Sequence, residues 1–113
     1  MITKRLGLFA EFIRAFAYYV LQIGEVIVSL LCLIALGGYA ISKLEDIKLG
    51  EAIYFAFITA LSIGYGDITP ETTLGRIVSV AIGLVGMLFV GITVAIATHA
   101  LRDTANRHLE SKT

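Results

Sequence analysis

The stretch LSIGYGDITP, Leu61 to Pro70, concentrates the chain's chemistry: a hydroxyl at Ser62, glycines two apart at Gly64 and Gly66, Tyr65 between them, and a carboxylate at Asp67. Gly64-Tyr65-Gly66 could open a dinucleotide fingerprint. Thr69 stands in place of the third glycine, however, and long apolar segments flank the stretch instead of a strand and a helix. A second chemistry fits better. Glycine alternating with larger residues lets successive peptides take backbone angles of opposite hand, so that several carbonyl oxygens in a row can face one side. A line of carbonyls is a cation site. One strand offers too few oxygens to replace an ion's hydration shell, whereas four copies around an axis complete each layer, so this chemistry asks for a fourfold-symmetric homotetramer. No cluster of His, Cys and carboxylate beyond isolated residues points to an enzyme or to a bound cofactor.

The surrounding elements must hold that stretch in a membrane. Hydrophobic residues make up 58% of the chain and charged ones 16%, outside the balance of a water-soluble domain. From Tyr18 to Ser42 only Glu25 is charged, and Ile77 to Leu101 carries no Lys, Arg, Asp or Glu, so both runs are long enough to span. The charge-free piece from Ala52 to Gly66 is too short to cross and must return to the side it came from. The expected fold is an all-α membrane protein with two transmembrane helices and a re-entrant pore helix and filter loop. Its segments are an amphipathic or interfacial stretch over 1–17, a pore domain over 18–101 and a cytoplasmic tail over 102–113. Within the pore domain the first span covers about 18–42, the pore helix about 49–61, the filter 62–66 and the second span about 74–101. The first stretch places Leu6, Phe9, Ile13, Phe16 and Ala17 on one helical face, which suits either an interfacial helix or an extension of the first span.

Net charge is zero and no basic run occurs, which argues against nucleic acid as a partner. Cys32, the single cysteine, cannot close an internal disulfide, and no cleavage pattern follows Lys4 and Arg5 to mark a signal peptide. Lys4, Arg5 and Arg14 precede the first span and Arg102, Arg107 and Lys112 follow the second. The connecting segment sets Lys43, Lys48 and Arg76 against five acids, Glu45, Asp46, Glu51, Asp67 and Glu71. This pattern places both termini in the cytoplasm. The expected location is the plasma membrane.

The segment TALSIGYGD, Thr59 to Asp67, resembles the signature of potassium channels, and the arrangement of span, pore helix, filter and span resembles the two-transmembrane potassium channel pore over most of the chain. The resemblance implies that the backbone carbonyls of Ser62, Ile63, Gly64 and Tyr65, with the Ser62 hydroxyl, form stacked sites for dehydrated K+. Gly66 would turn the chain out, the Tyr65 ring would point away from the axis and brace the filter, and Asp67 would sit at the outer mouth. Serine stands where the family usually has threonine. On the pore helix, Ile58 replaces a glutamate common in bacterial members, and Tyr54 and Phe55 replace two aromatic donors. Phe55 has no hydrogen bond for Tyr65, while the Tyr54 hydroxyl can reach toward Asp67. Related non-selective channels resemble this chain but carry aspartate at the Tyr65 position.

In the second span, Gly86 matches the family's inner-helix hinge, and Val90, Val94, Ala95 and Thr98 fall toward the cavity or the intracellular constriction, where apolar rings can gate by dewetting. Gly75, Gly83 and Gly91 read as packing positions. His99 has no partner that the sequence names. Glu25 lies near the cytoplasmic boundary, where Arg14, Arg102 or headgroups could meet it. No arginine-spaced span senses voltage, and a regulatory domain or subunit would have to come from outside these residues. The expected function is passive, selective K+ conduction. A non-selective cation channel, or a non-conducting membrane assembly or regulatory subunit, are the alternatives.

Overall fold

The computed structural model describes residues 2–112, except for the side chains of residues 2–4, 108, 111 and 112. Lys4 and Lys112, which entered the charge pattern, lie outside the described side chains. Four helices follow in order: α1 Ile2–Gln22, α2 Gly24–Glu45, α3 Leu49–Ala60 and α4 Thr73–Lys112. Two of them are long and apolar enough to cross a membrane, α2 over Gly24–Glu45 and α4 over Thr73–Arg107. Only 22% and 17% of their most apolar stretches are buried within the chain, so neither behaves as the core helix of a soluble domain. Apolar surface exposed on this scale needs lipid or other chains against it.

Two boundaries differ from the expectation. The first apolar helix starts at Gly24, not Tyr18, because the chain breaks for one residue at Ile23 and leaves Tyr18–Gln22 to α1. Gly24 is a poor interior helix residue, and Glu25 then falls in the first turn of α2, where an acid suits the positive dipole end. At the other end, α4 runs past Leu101 to Lys112, so residues 102–112 are helical. No glycine or proline interrupts this stretch.

The chain divides into two compact units. One holds Glu25–Gly91. Its core joins Ile34 and Ile41 of α2, two turns apart, to Ala52, Phe55, Ala56 and Ala60 of α3 and Ile82 of α4. Small residues permit this: a Cβ on Gly38 would lie 3.1 Å from the Cα of Ile53, and one on Gly37 would meet the Ile82 side chain. The other unit joins α1 to residues 92–112 of α4. There the Tyr19 hydroxyl donates to the Asp103 carboxylate, and Ile96, Ala100 and Thr104 are buried. The face of α1 bearing Leu6, Phe9 and Ile13 is exposed.

Candidate functional site

Helix α3 is a short apolar helix with Glu51 in its first turn, complementing the positive end of the dipole. Its carbonyl end controls the segment that follows. The Leu61 amide donates to the Phe57 oxygen at 2.9 Å and the Ser62 amide to the Thr59 oxygen at 3.2 Å. The amides of Ile63 and Gly64 both donate to the Ile58 oxygen, at 2.9 and 3.2 Å. Three of the four orphan carbonyls at the helix C-terminus, those of Phe57, Ile58 and Thr59, are thereby satisfied, and the N–H groups of the next residues turn toward α3. Ile58, which stands where bacterial members commonly have a glutamate beside the filter, supports the segment here through its backbone oxygen.

Backbone hand then alternates. Ser62, Gly64 and Gly66 have φ of 64°, 58° and 80°, while Ile63 and Tyr65 between them lie outside the positive region. Such alternation is what allows successive carbonyl oxygens to face one side. Among the described residues, no donor reaches the carbonyl oxygens of Ser62, Ile63, Gly64 or Tyr65. The left-handed conformation costs Ser62 roughly 1–2 kcal/mol, where glycine would bear none. Residues 61–67 are all exposed on the single chain, and Tyr65, expected to brace the segment, is 70% exposed, so its own chain does not hold the ring.

The outer end of the segment is tied to α3. The Tyr54 hydroxyl donates to Asp67 Oδ2 at 3.0 Å, and the Ile68 amide donates to Asp67 Oδ1 at 3.1 Å. Desolvation first, and then the hydrogen bond to Asp67, raise Tyr54 above the usual phenol range, so the hydroxyl stays a donor. Phe55 points elsewhere: it belongs to the core with Ile34 and Ile41, packing α3 onto α2.

One residue that the sequence reading counted only as an acid of the connecting segment is Glu45. Its Oε1 accepts the Glu71 amide at 2.6 Å and its Oε2 accepts the Thr72 amide at 3.1 Å and the Thr72 hydroxyl. Thr72 Oγ1 in turn accepts the Gly75 amide at 2.9 Å and caps α4. The last residue of α2 thus holds the segment that returns from the loop. A threonine three residues before a glycine at a helix start signals the cap, but nothing local announces a partner more than 25 residues upstream.

Gly86 sits at the closest approach of α4 to α3. A Cβ there would lie 2.6 Å from the carbonyl carbon of Ala60 and overlap the neighbouring backbone atoms. Helix α4 continues through this position. Gly86, the expected hinge position, therefore also has a packing reason to lack a side chain. Val90 is half-buried and Val94 and Thr98 are exposed; at i, i+4 and i+8 they share one face of α4. The Thr98 hydroxyl bonds back to the Val94 oxygen at 2.9 Å. Ala95 lines a groove of about 420 Å³ against α1, with Tyr19, Gln22, Ile23, Ile92, Ile96 and His99. His99 finds a partner there: its ring centroid lies 5.8 Å from that of Tyr19.

A family model described as ion channel matches residues 8–103, covering α2, α3, the alternating loop and most of α4. The chain belongs to this ion channel family. A Bacillus subtilis protein named provisionally as a potassium channel is 35% identical over 95 residues, 81% of this channel chain and 28% of its own length. A Methanocaldococcus jannaschii protein, also named provisionally as a potassium channel, is 45% identical over 49 residues, 43% of this chain and 14% of its own. An Arabidopsis thaliana two-pore potassium channel is 37% identical over 62 residues, 54% of this chain and 14% of its own. The channel chain thus spans under a third of the length of each of these relatives. No solved structure matches it.

Proposed function

We propose that this channel conducts K+ selectively and passively across the plasma membrane, as a homotetramer whose filter is built from the carbonyl oxygens of Ser62, Ile63, Gly64 and Tyr65. The observation that carries the reading is the alternating backbone from Ser62 to Gly66, with the amides of residues 62–64 turned to α3 and the carbonyls left without protein donors. Four such strands around an axis supply rings of partial negative charge that can replace the hydration shell of a monovalent cation. The names of the relatives, potassium channels in bacteria, archaea and plants, support K+ as that cation. So does Tyr65 in the position where non-selective relatives of the pore carry aspartate.

The tetramer is the arrangement that covers what one chain exposes, namely residues 61–67 and the apolar faces of α2 and α4. At 12 residues, α3 is roughly 18 Å long, short of the ~30 Å hydrocarbon layer, and so is read as re-entrant. Its carbonyl end would then face the permeation path, where the negative dipole end favours cations. Asp67, held by Tyr54, stands at the outer mouth. Both termini lie in the cytoplasm in this arrangement.

The test is flux from vesicles reconstituted with the purified protein. Potassium and rubidium should pass, barium should block and sodium should be largely excluded. Gly64→Ala, which puts a Cβ on a residue at φ 58°, should abolish selective flux while the protein still assembles. Equal sodium and potassium flux in the unmodified channel would mean a non-selective pore, and no flux a non-conducting assembly.

A further inference from the structure

The groove of about 420 Å³ between α1 and α4 has no part in the proposed function. Ile23, Ile92 and Ile96 supply its apolar lining, and Tyr19, Gln22 and His99 its polar groups. Ala95 and His99 also line a neighbouring recess that reaches Arg102, so the apolar groove leads to a cation. Arg102 is the first charged residue after the run from Ile77 to Leu101, which puts that end of the groove where apolar chain gives way to water. The polar edge is held in place: the Tyr19 hydroxyl donates to Asp103, and the Tyr19 ring lies 5.8 Å from that of His99. Asp103 itself lines a different recess, with Arg14 and Arg107. Ile96 is two residues from both Val94 and Thr98, about 200° around a helix, so the groove lies on the side of α4 opposite to theirs. A molecule dissolved in the bilayer can enter it from the side.

We propose that this groove binds a long-chain fatty acid, with its tail along Ile23, Ile92 and Ile96 and its carboxylate at Arg102 and His99. A concave, largely apolar site with its polar groups gathered at one edge fits a ligand that is apolar along its length and polar at its end. The charge at that end selects an anion. A guanidinium presents a planar fork of donors that matches a carboxylate, and the His99 ring adds an N–H. Both side chains are exposed and open to such a group. Inside a bilayer the tail gains little by exchanging lipid for an equally apolar wall, so recognition rests on the head. The volume is close to that of one extended acyl chain, and a phospholipid would leave its second tail outside. Binding here is independent of the filter reading, since it needs only the helix pair and not ion conduction.

The experiment irradiates the purified channel in phosphatidylcholine nanodiscs with palmitate carrying a diazirine in its tail, at a pH where the carboxylate is ionised. Labelled residues are read by mass spectrometry. Labelling should concentrate on residues 22–23 and 92–96 and be displaced by plain palmitate. Methyl palmitate, which has the same tail and no charge, should compete poorly. Arg102→Gln should weaken palmitate binding roughly two- to fivefold, the scale of one exposed charge pair, and adding His99→Gln should weaken it further. Ile92→Trp, which fills the groove, should remove the labelling, and Lys48→Gln, which changes a cation at the start of α3, should leave it unchanged. Equal competition by methyl palmitate would show that no charge is recognised and would overturn the inference. So would labelling spread evenly along α2 and α4, which is ordinary lipid contact, or displacement of palmitate by an equal amount of phosphatidylglycerol, which would make the occupant a phospholipid. Should Arg102→Gln fail to assemble, the comparison of palmitate with methyl palmitate on the unmodified channel decides.

Discussion

Gly86→Ala separates two roles for one residue, a close contact and a flexible joint. The added Cβ would overlap the Ala60 carbonyl oxygen and Cα and lie 2.6 Å from its carbonyl carbon, so α4 and α3 must part by more than about 0.8 Å to reach the 3.4 Å of ordinary contact. The obstructing atoms belong to backbone, so no rotamer change relieves them. Overpacking of this kind costs roughly 1–3 kcal/mol, against a gain of about 1 kcal/mol from replacing a helical glycine with alanine. The net is a destabilisation of up to about 2 kcal/mol per chain. Ala60 is the last residue of α3, two positions before Ser62, so the displacement falls on the carbonyls that orient the loop. Gly86→Ala should therefore lower the thermal midpoint of the detergent-solubilised assembly by several degrees and reduce the preference for potassium over sodium in vesicle flux. Gly91→Ala, with nothing within 4 Å of its added Cβ in the chain, serves as the comparison and should be neutral or slightly stabilising. If Gly86→Ala melts at or above the unmodified protein and keeps its selectivity while opening less often, the packing argument is refuted and the bend supported.

Tyr54→Phe removes the 3.0 Å bond to Asp67 and should shorten the conducting period severalfold without altering initial selectivity, as read from the decay of potassium flux. Tyr19→Phe removes the bond to Asp103 that joins α1 to the end of α4, and amide hydrogen exchange across residues 5–22 should rise. The Tyr19 phenol is raised above its usual range, first by its hydrogen bond to Asp103 and then by desolvation. A raised folded-state value favours the neutral form, so this contact contributes fully below the ordinary phenol range of about 10 and is lost as pH climbs through the raised value. Phenolate absorbance should accordingly show Tyr19 titrating later than an unhindered tyrosine, a lag that Asp103→Asn should reduce.

Much of the site was legible because its chemistry is local. Alternating glycines within six residues, a preceding apolar helix of limited length and two charge-free runs are all properties of neighbouring residues. Helix α3, expected over 49–61, spans Leu49–Ala60, and the Tyr54 contact with Asp67 follows from a pore-helix position close to the loop. The break at Ile23 was harder to see, since a continuous apolar run masks a one-residue turn whose only cue is Gly24. The helical course of residues 102–112 was also missed, because polar composition hides a helix whose buried stripe, Ala100 and Thr104, is narrow.

By itself, the order of residues determined which backbone could alternate in hand and which segments water could not hold, because glycine's freedom and apolar burial act over a few residues at a time. Only tertiary structure decided what the distant groups do. Glu45 reaches Thr72 because the end of α2 meets the start of α4, and Gly86 must lack a side chain because the last turn of α3 lies against it. Ser62 holds a left-handed conformation among amides that bond back to Thr59 and Ile58. Such contacts depend on how helices cross in space, and residue spacing along the chain carries no record of that crossing.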